Sequence, residues 1–147
     1  MLNENVISKD ERTNAALAHL SILLGFFSRG VLGIVLAFLI WVTQRGKSKF
    51  AARQAAQAVV WQLIGVLVSI GAFIGWGVLF AGSIFVPLLF NPSHPEPLMP
   101  YTMIPAFALI LVPIALTLAW VGYGVYAAWQ VWHNKDFAYP LIGRWVR

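Results

Sequence analysis

The side chains that could do chemistry in this sequence are one histidine and three glutamines inside otherwise apolar stretches. His19 lies in the first apolar stretch, and Gln54, Gln57 and Gln62 lie at the start of the third. Imidazole binds metals and transfers protons, and amides both donate and accept hydrogen bonds. A single histidine without a second ligand motif predicts no metal site, and no acidic residue lies inside an apolar run to act as an acid or base.

Two interpretations of His19 follow from its surroundings. Ala15 precedes it by four residues, and a small residue at this spacing could admit a flat macrocycle with His19 as axial ligand. The favoured alternative is a hydrogen bond between helices, for example to Gln57 or to a backbone carbonyl. We therefore expect no catalytic residue, no metal and no cofactor.

The glutamines have two interpretations of the same kind. On a helix, Gln54 and Gln57 are about 60° apart and share a face with Trp61. They could line a polar vestibule for a solute, or they could join their helix to the first hairpin through hydrogen bonds, and the second is favoured. The predicted polar contacts between helices are Asn14, His19, Gln54, Gln57 and Gln62.

The elements that carry these residues belong to a membrane protein. Residues 59–90 and 101–132 contain no charged side chain, which predicts membrane-spanning helices. The composition agrees, with 60% hydrophobic and 10% charged residues. There is no cysteine, so disulfides and thiol chemistry are excluded.

The apolar runs predict an all-α transmembrane bundle of four helices in one membrane domain. The first hairpin is short, with helices at about 13–27 and 31–43, and Thr13 is the expected cap. The second is long, with helices at about 51–90 and 101–133. The remaining segments are a tail at 1–12, a basic loop at 44–53, a proline-rich outer loop at 91–100 and an interfacial tail at 134–147.

The basic residues predict the orientation. With four spans, nine of the ten lie on one side and only Arg29 lies on the other. This asymmetry places both termini in the cytoplasm, in a multi-pass inner membrane protein. Membrane lipids rather than nucleic acids are the expected partners, and the residues expected to contact lipid phosphates and to set the topology are Arg45, Lys47, Lys49, Arg53, Arg144 and Arg147. Aromatic belts are expected at Trp41, Trp129, Trp132, Tyr139 and Trp145.

The second hairpin is longer than a bilayer requires. Its helices would measure roughly 60 Å and 48 Å, against a hydrocarbon core of about 30 Å. Either they kink at prolines or they overhang and need a partner subunit or a second copy of the chain, and the expected contact surface comprises Trp76, Phe80, Phe85 and Phe107. Gly71 and Gly75 have the spacing of closely packed helices, expected here within the monomer.

Three segments resemble a known family. They are RTNAALAHLSILLGF at 12–26, FAARQAAQAVVWQ at 50–62 and YPLIGRW at 139–145. In this order they resemble the Tic-twenty-like small four-helix membrane proteins, bacterial and archaeal proteins that are distantly similar to a subunit of the chloroplast inner-envelope protein translocon. The resemblance implies four spans with both termini cytoplasmic, and it implies no activity.

We therefore expect a non-enzymatic membrane protein. The long apolar hairpin favours a scaffold or accessory subunit of a larger membrane assembly. The resemblance and the glutamines favour the alternative, a transport or protein-translocation component.

Overall fold

The computed structural model describes residues 7–140, 142, 143 and 146, and all regular structure in them is helical. The all-α class predicted from the sequence is therefore confirmed for these residues. In chain order the helices are α1 Lys9–Leu20, α2 Ile22–Phe27, α3 Val31–Gln44, α4 Lys49–Phe90, α5 Met99–Ala108 and α6 Leu111–Trp132.

Two stretches are long and apolar enough to cross a membrane, Lys49–Phe90 and Met99–Trp132. Only 6% and 11% of the residues in their most apolar windows are buried within the protein, so neither behaves as the core helix of a water-soluble fold. The apolar helix α3 has 14 residues. Length and composition thus support two spans and do not establish the predicted four.

The first helix begins before the expected cap at Thr13. Ser8 caps it, because its hydroxyl accepts the N–H of Glu11 at 3.2 Å while the Glu11 carboxylate accepts the N–H of Ser8 at 2.7 Å. This reciprocal pair is a capping box. Thr13 lies inside the helix, and its hydroxyl donates to the carbonyl of Lys9 at 2.9 Å.

The turn predicted at residues 28–30 separates α2 from α3. Arg29 and Gly30 both have positive φ, at 54° and 95°. The N–H of Gly30 returns to the carbonyl of Gly25 at 2.6 Å and closes the end of α2. A Cβ at Gly30 would also overlap the side chain of Val66, so both the conformation and the space require glycine here.

The chain divides into two compact units. Unit one contains residues up to Val66 together with those from Trp120 onward, and unit two is Leu67–Ala119. Alanines form much of the core of unit one, because small side chains let helix backbones approach closely. The buried alanines of α1, α3 and α4 are Ala15, Ala16, Ala18, Ala37, Ala51, Ala55 and Ala58.

In unit two, hydroxyl and indole groups satisfy carbonyls that the helices leave free. Pro87 has no N–H for the carbonyl of Ser83, and the hydroxyl of Thr102 donates to that carbonyl at 2.7 Å. The indole Nε1–H of Trp76 donates to the carbonyl of Ala106 at 3.0 Å, where α5 ends. Such side-chain donors are what a helix irregularity requires inside a bilayer.

The fourth apolar run is two helices, not the single helix predicted at 101–133. It breaks at Leu109 and Ile110 because Pro113 cannot donate to the carbonyl of Leu109. The N–H of Val112 bonds that carbonyl instead, at 3.1 Å, in a tighter three-residue turn. The predicted close packing at Gly71 and Gly75 is also absent, since no described neighbouring atom lies within 4 Å of a Cβ built at either position.

Candidate functional site

Helix α4 and the end of α6 position the candidate site of unit one. Gln54 and Gln57 lie three residues apart on α4, with Trp61 one turn further, so helical spacing places all three on one face. Asn134 ends α6 with a φ of 63°, and the N–H of Lys135 returns to the helix carbonyl five residues earlier at 3.0 Å. This Schellman ending turns the chain back toward that face.

The returning segment and α1 form a chain of hydrogen bonds around Gln54. His19 contacts the Tyr139 hydroxyl through Nδ1 at 3.1 Å and the Gln54 oxygen Oε1 through Nε2 at 3.0 Å. The Gln54 nitrogen Nε2 donates to the Asp136 carboxylate at 3.1 Å and to the carbonyl of Phe137 at 2.8 Å. His19, Gln54 and Tyr139 are each at most 1% exposed, so the two bonds of His19 are shielded from solvent, whereas Asp136 is exposed. We call His19, Gln54, Asp136 and Tyr139 the polar network.

The direction of each bond in the polar network follows from its ends. Gln54 must turn its NH₂ group toward Asp136 and the Phe137 carbonyl, because both are acceptors. Its oxygen then accepts the Nε2–H of His19, and a neutral imidazole leaves Nδ1 to accept the hydroxyl proton of Tyr139. Burial raises the pKa of Tyr139 far above its ordinary value near 10, so this hydroxyl keeps its proton.

Tyr139 also joins the aromatic core of unit one. Its ring stacks on Trp61 with centroids 4.2 Å apart, and Trp61 stacks on Trp120 at 3.9 Å. The two indoles exchange hydrogen bonds with each other's backbone carbonyls, at 3.4 Å and 3.1 Å. The side-chain oxygen of Gln57 accepts the backbone N–H of Tyr139 at 3.3 Å. Side-chain, backbone and stacking contacts therefore all hold this one tyrosine.

A second polar contact joins α4 to the first hairpin. The Gln62 amide donates to the hydroxyl of Ser21 at 2.9 Å, and that hydroxyl reaches the carbonyls of Ala18 at 2.8 Å and Gly33 at 2.9 Å. Gly33 permits this approach, because a Cβ there would lie 2.6 Å from the carbonyl oxygen of Ser21 and 2.9 Å from the Cα of Gly25.

The structure brings together most of the polar residues singled out in the sequence, with different partners. His19 bonds Gln54 and Tyr139 instead of Gln57. Asn14 is half-buried and makes no side-chain hydrogen bond to another described residue. Since both ring nitrogens of His19 are engaged within the protein, the axial-ligand interpretation finds no support in the geometry.

Three participants were not recognised in the sequence. Tyr139 was assigned to an aromatic belt, yet it is 1% exposed. Asp136 bonds both Gln54 and the Arg53 guanidinium. Ser21, which accepts a hydrogen bond from Gln62, was not singled out in the sequence. The available signal was the combination of a carboxylate and a tyrosine shortly after a helix end with amides and a histidine in apolar helices, since buried polar groups need partners.

The predicted lipid-contact residues divide into three groups. Arg45 and Lys49 line a cavity of about 560 Å³ together with Arg53. Lys47 is exposed in the turn between α3 and α4 and is not part of that lining. Arg144 and Arg147 lie outside the described residues, as does the belt residue Trp145.

The predicted partner surface is only partly exposed. Trp76 and Phe80 are half-buried, stack with centroids 5.4 Å apart and pack toward α5, where Phe80 meets Phe107 at 6.3 Å. Phe85 and Phe107 are 61% and 62% exposed. Among the described residues, no three His, Asp or Glu side chains gather in a group that could hold a metal ion.

The helices and the polar network define an all-helical protein with apolar helices of membrane-spanning length. Residues 10–146 match the profile of the magnetosome magnetite crystal formation protein family, MamF/MmsF. This match covers nearly the whole chain, and the chain belongs to that family. No curated protein and no solved structure matches the chain.

The family match corrects the resemblance drawn from the three sequence segments. The chain is a MamF/MmsF protein and not a Tic-twenty-like one. Apolar helices with alanines, a histidine and glutamines at helical spacing satisfy the packing needs of many small membrane bundles, so these segments were less specific than they looked. Because the translocation role depended on that resemblance, it is no longer supported.

Proposed function

We propose that the protein is a non-enzymatic scaffold or accessory subunit of the magnetosome membrane that acts in magnetite crystal formation. Membership of the MamF/MmsF family indicates the process, which is magnetite crystal formation. The observation that carries the scaffold role is the polar network, in which polar side chains bond one another and fasten the 136–139 segment to α1 and α4. Groups engaged in this way give a membrane unit rigidity.

The proposal includes a topology of four spans with both termini cytoplasmic in an inner-membrane-type bilayer. The spans are α1 with α2, then α3, then α4, then α5 with α6. The nine-to-one distribution of basic residues supports this orientation. The segment between α4 and α5 then lies on the opposite side from both termini.

The proposal also includes a protein partner, either another subunit or a second copy, at the exposed part of unit two. Phe85 and Phe107 support it, since both aromatic rings are mostly uncovered by the chain itself. A photoreactive residue at each position tests for a protein partner. Adducts with protein support the partner, whereas adducts only with lipid, from a monomeric particle, reject it.

The function is tested by deleting the gene in a magnetosome-forming bacterium and complementing it with variants. Deletion should change crystal size or shape while membrane vesicles still form, as seen by electron microscopy. Wild type and the control Leu67→Val, at an exposed side chain, should restore the crystals, and Gln54→Leu should restore them less well because it weakens the scaffold. Normal crystals in the deletion strain would reject the proposed function.

A further inference from the structure

The cavity between the end of α3 and the start of α4 combines a cationic wall with an aromatic one. Arg45 and Lys49 line it with Arg53, and Trp41 and Phe50 supply apolar surface. Its volume of about 560 Å³ falls within the range of small-molecule sites, roughly 300–1,000 Å³. The two elements that form it meet at the turn 45–48, which lies at the cytoplasmic membrane surface in the proposed topology.

Charge and hydrogen-bonding capacity in this cavity both exceed what the described residues use. The Arg45 guanidinium lies 5.7 Å from the centre of the Trp41 ring, which holds it over the cavity wall. Arg53 pairs with Asp136 through one terminal nitrogen, and its buried Nε has no hydrogen-bond partner among the described residues. With that pair neutral, Arg45 and Lys49 leave two positive charges among the described residues that line the cavity.

We infer that this cavity binds the phosphate headgroup of an anionic glycerophospholipid. A phosphodiester oxygen is an acceptor that the guanidinium and ammonium groups recognise. Basic pockets beside membrane helices on the cytoplasmic side bind such headgroups, and an interfacial tryptophan packs at headgroup depth. The apolar part of a lipid can pack against Trp41 and Phe50, whereas a free phosphate ion has no apolar group to contact them.

Lys47 provides a matched control for this site. It lies in the same turn, carries the same charge and does not line the cavity. The purified full chain is placed in bilayers of phosphatidylcholine containing a minor fraction of phosphatidylglycerol, and the retained lipids are counted by native mass spectrometry. Wild type and Lys47→Gln should retain phosphatidylglycerol equally, and Lys49→Gln and Arg45→Gln should each retain about tenfold less.

The outcomes separate the sources of the phosphate. Equal loss in Lys47→Gln and Lys49→Gln would overturn the site, because it would show only diffuse attraction of a basic surface. Displacement of the lipid by inorganic phosphate, added to otherwise identical bilayers, would overturn the lipid as ligand. Thermal unfolding in pure phosphatidylcholine should be the same for all variants, which confirms that Arg45→Gln and Lys49→Gln remain folded.

Discussion

Replacing Gln54 by leucine tests whether the polar network holds unit one together. The substitution removes the acceptor of the His19 Nε2–H and the donor to the Phe137 carbonyl. Leaving the buried His19 Nε2–H without a partner then costs about 1–3 kcal/mol of stability, and leaving the part-buried Phe137 carbonyl without one costs about 0.5–1.5 kcal/mol. Asp136 adds little, because it is exposed and keeps its pairing with Arg53. The two lost bonds to His19 and Phe137, at the ~0.6 kcal/mol average measured in membranes, give a lower figure of roughly 1 kcal/mol.

We therefore expect Gln54→Leu to lower the free energy of unfolding by about 1–4 kcal/mol. The assay is unfolding in mixed micelles with increasing sodium dodecyl sulfate. Tryptophan fluorescence follows it, since the stacked pair Trp61 and Trp120 separates when unit one opens. Gln57→Leu is the matched comparison one turn away, and its one hydrogen bond to a described residue, of 3.3 Å, predicts a loss of about 1 kcal/mol or less.

Unfolding of Gln54→Leu at the wild-type detergent fraction would contradict this role of Gln54, and so would a larger loss of stability in Gln57→Leu. A double variant sharpens the test. Tyr139→Phe removes the hydroxyl that bonds His19 on its other nitrogen. Combined with Gln54→Leu it should cost less than the sum of the two single losses, because one imidazole is shared by both bonds.

Three further predictions concern close contacts and topology. Gly65→Ala should lower the melting temperature, because its Cβ would overlap the Trp120 indole, whereas Gly77→Ala, which faces open space, should leave it equal or higher. Thr102→Val should destabilise unit two by about 1 kcal/mol. The loss should be smaller in a Pro87→Ala background, because the backbone N–H of residue 87 can then bond the Ser83 carbonyl. Equal losses in both backgrounds would contradict this account. Reporter fusions should be active in the cytoplasm after Arg147 and outside it within residues 93–97, and the reverse pattern would refute the proposed orientation.

Local patterns were sufficient to predict the helical class and most boundaries. Residues 59–90 and 101–132 were recognised because an uninterrupted apolar run of this length is typical of a membrane-spanning helix, and the turn at residues 28–30 followed from Gly30. The start of α1 was predicted too late, at Thr13, because the capping box of Ser8 and Glu11 was not recognised. The break at Leu109 and Ile110 is a kink at a proline, Pro113, which was one of the two alternatives left open for this hairpin.

The polar network could be predicted only in part. His19 and the glutamines stand out because polar groups in apolar helices need partners. Their partners depend on where the chain turns after α6, and that turn depends on a left-handed Asn134. A tyrosine near a helix end is equally compatible with an interfacial belt and with burial, so Tyr139 could not be assigned from its position alone.

The span of 120 residues between His19 and Tyr139 has a consequence for biogenesis. At synthesis rates of about 5–20 residues per second, His19 leaves the ribosome roughly 6–24 s before Tyr139 does. During that interval its imidazole has no Tyr139 hydroxyl to accept from, in a helix that is already a candidate for insertion. Insertion factors or water must accommodate the unpaired group until then. The polar network is therefore expected to form only after residues 136–139 have been synthesised. A nascent chain stalled before residue 136 should be a preferred target of membrane quality control.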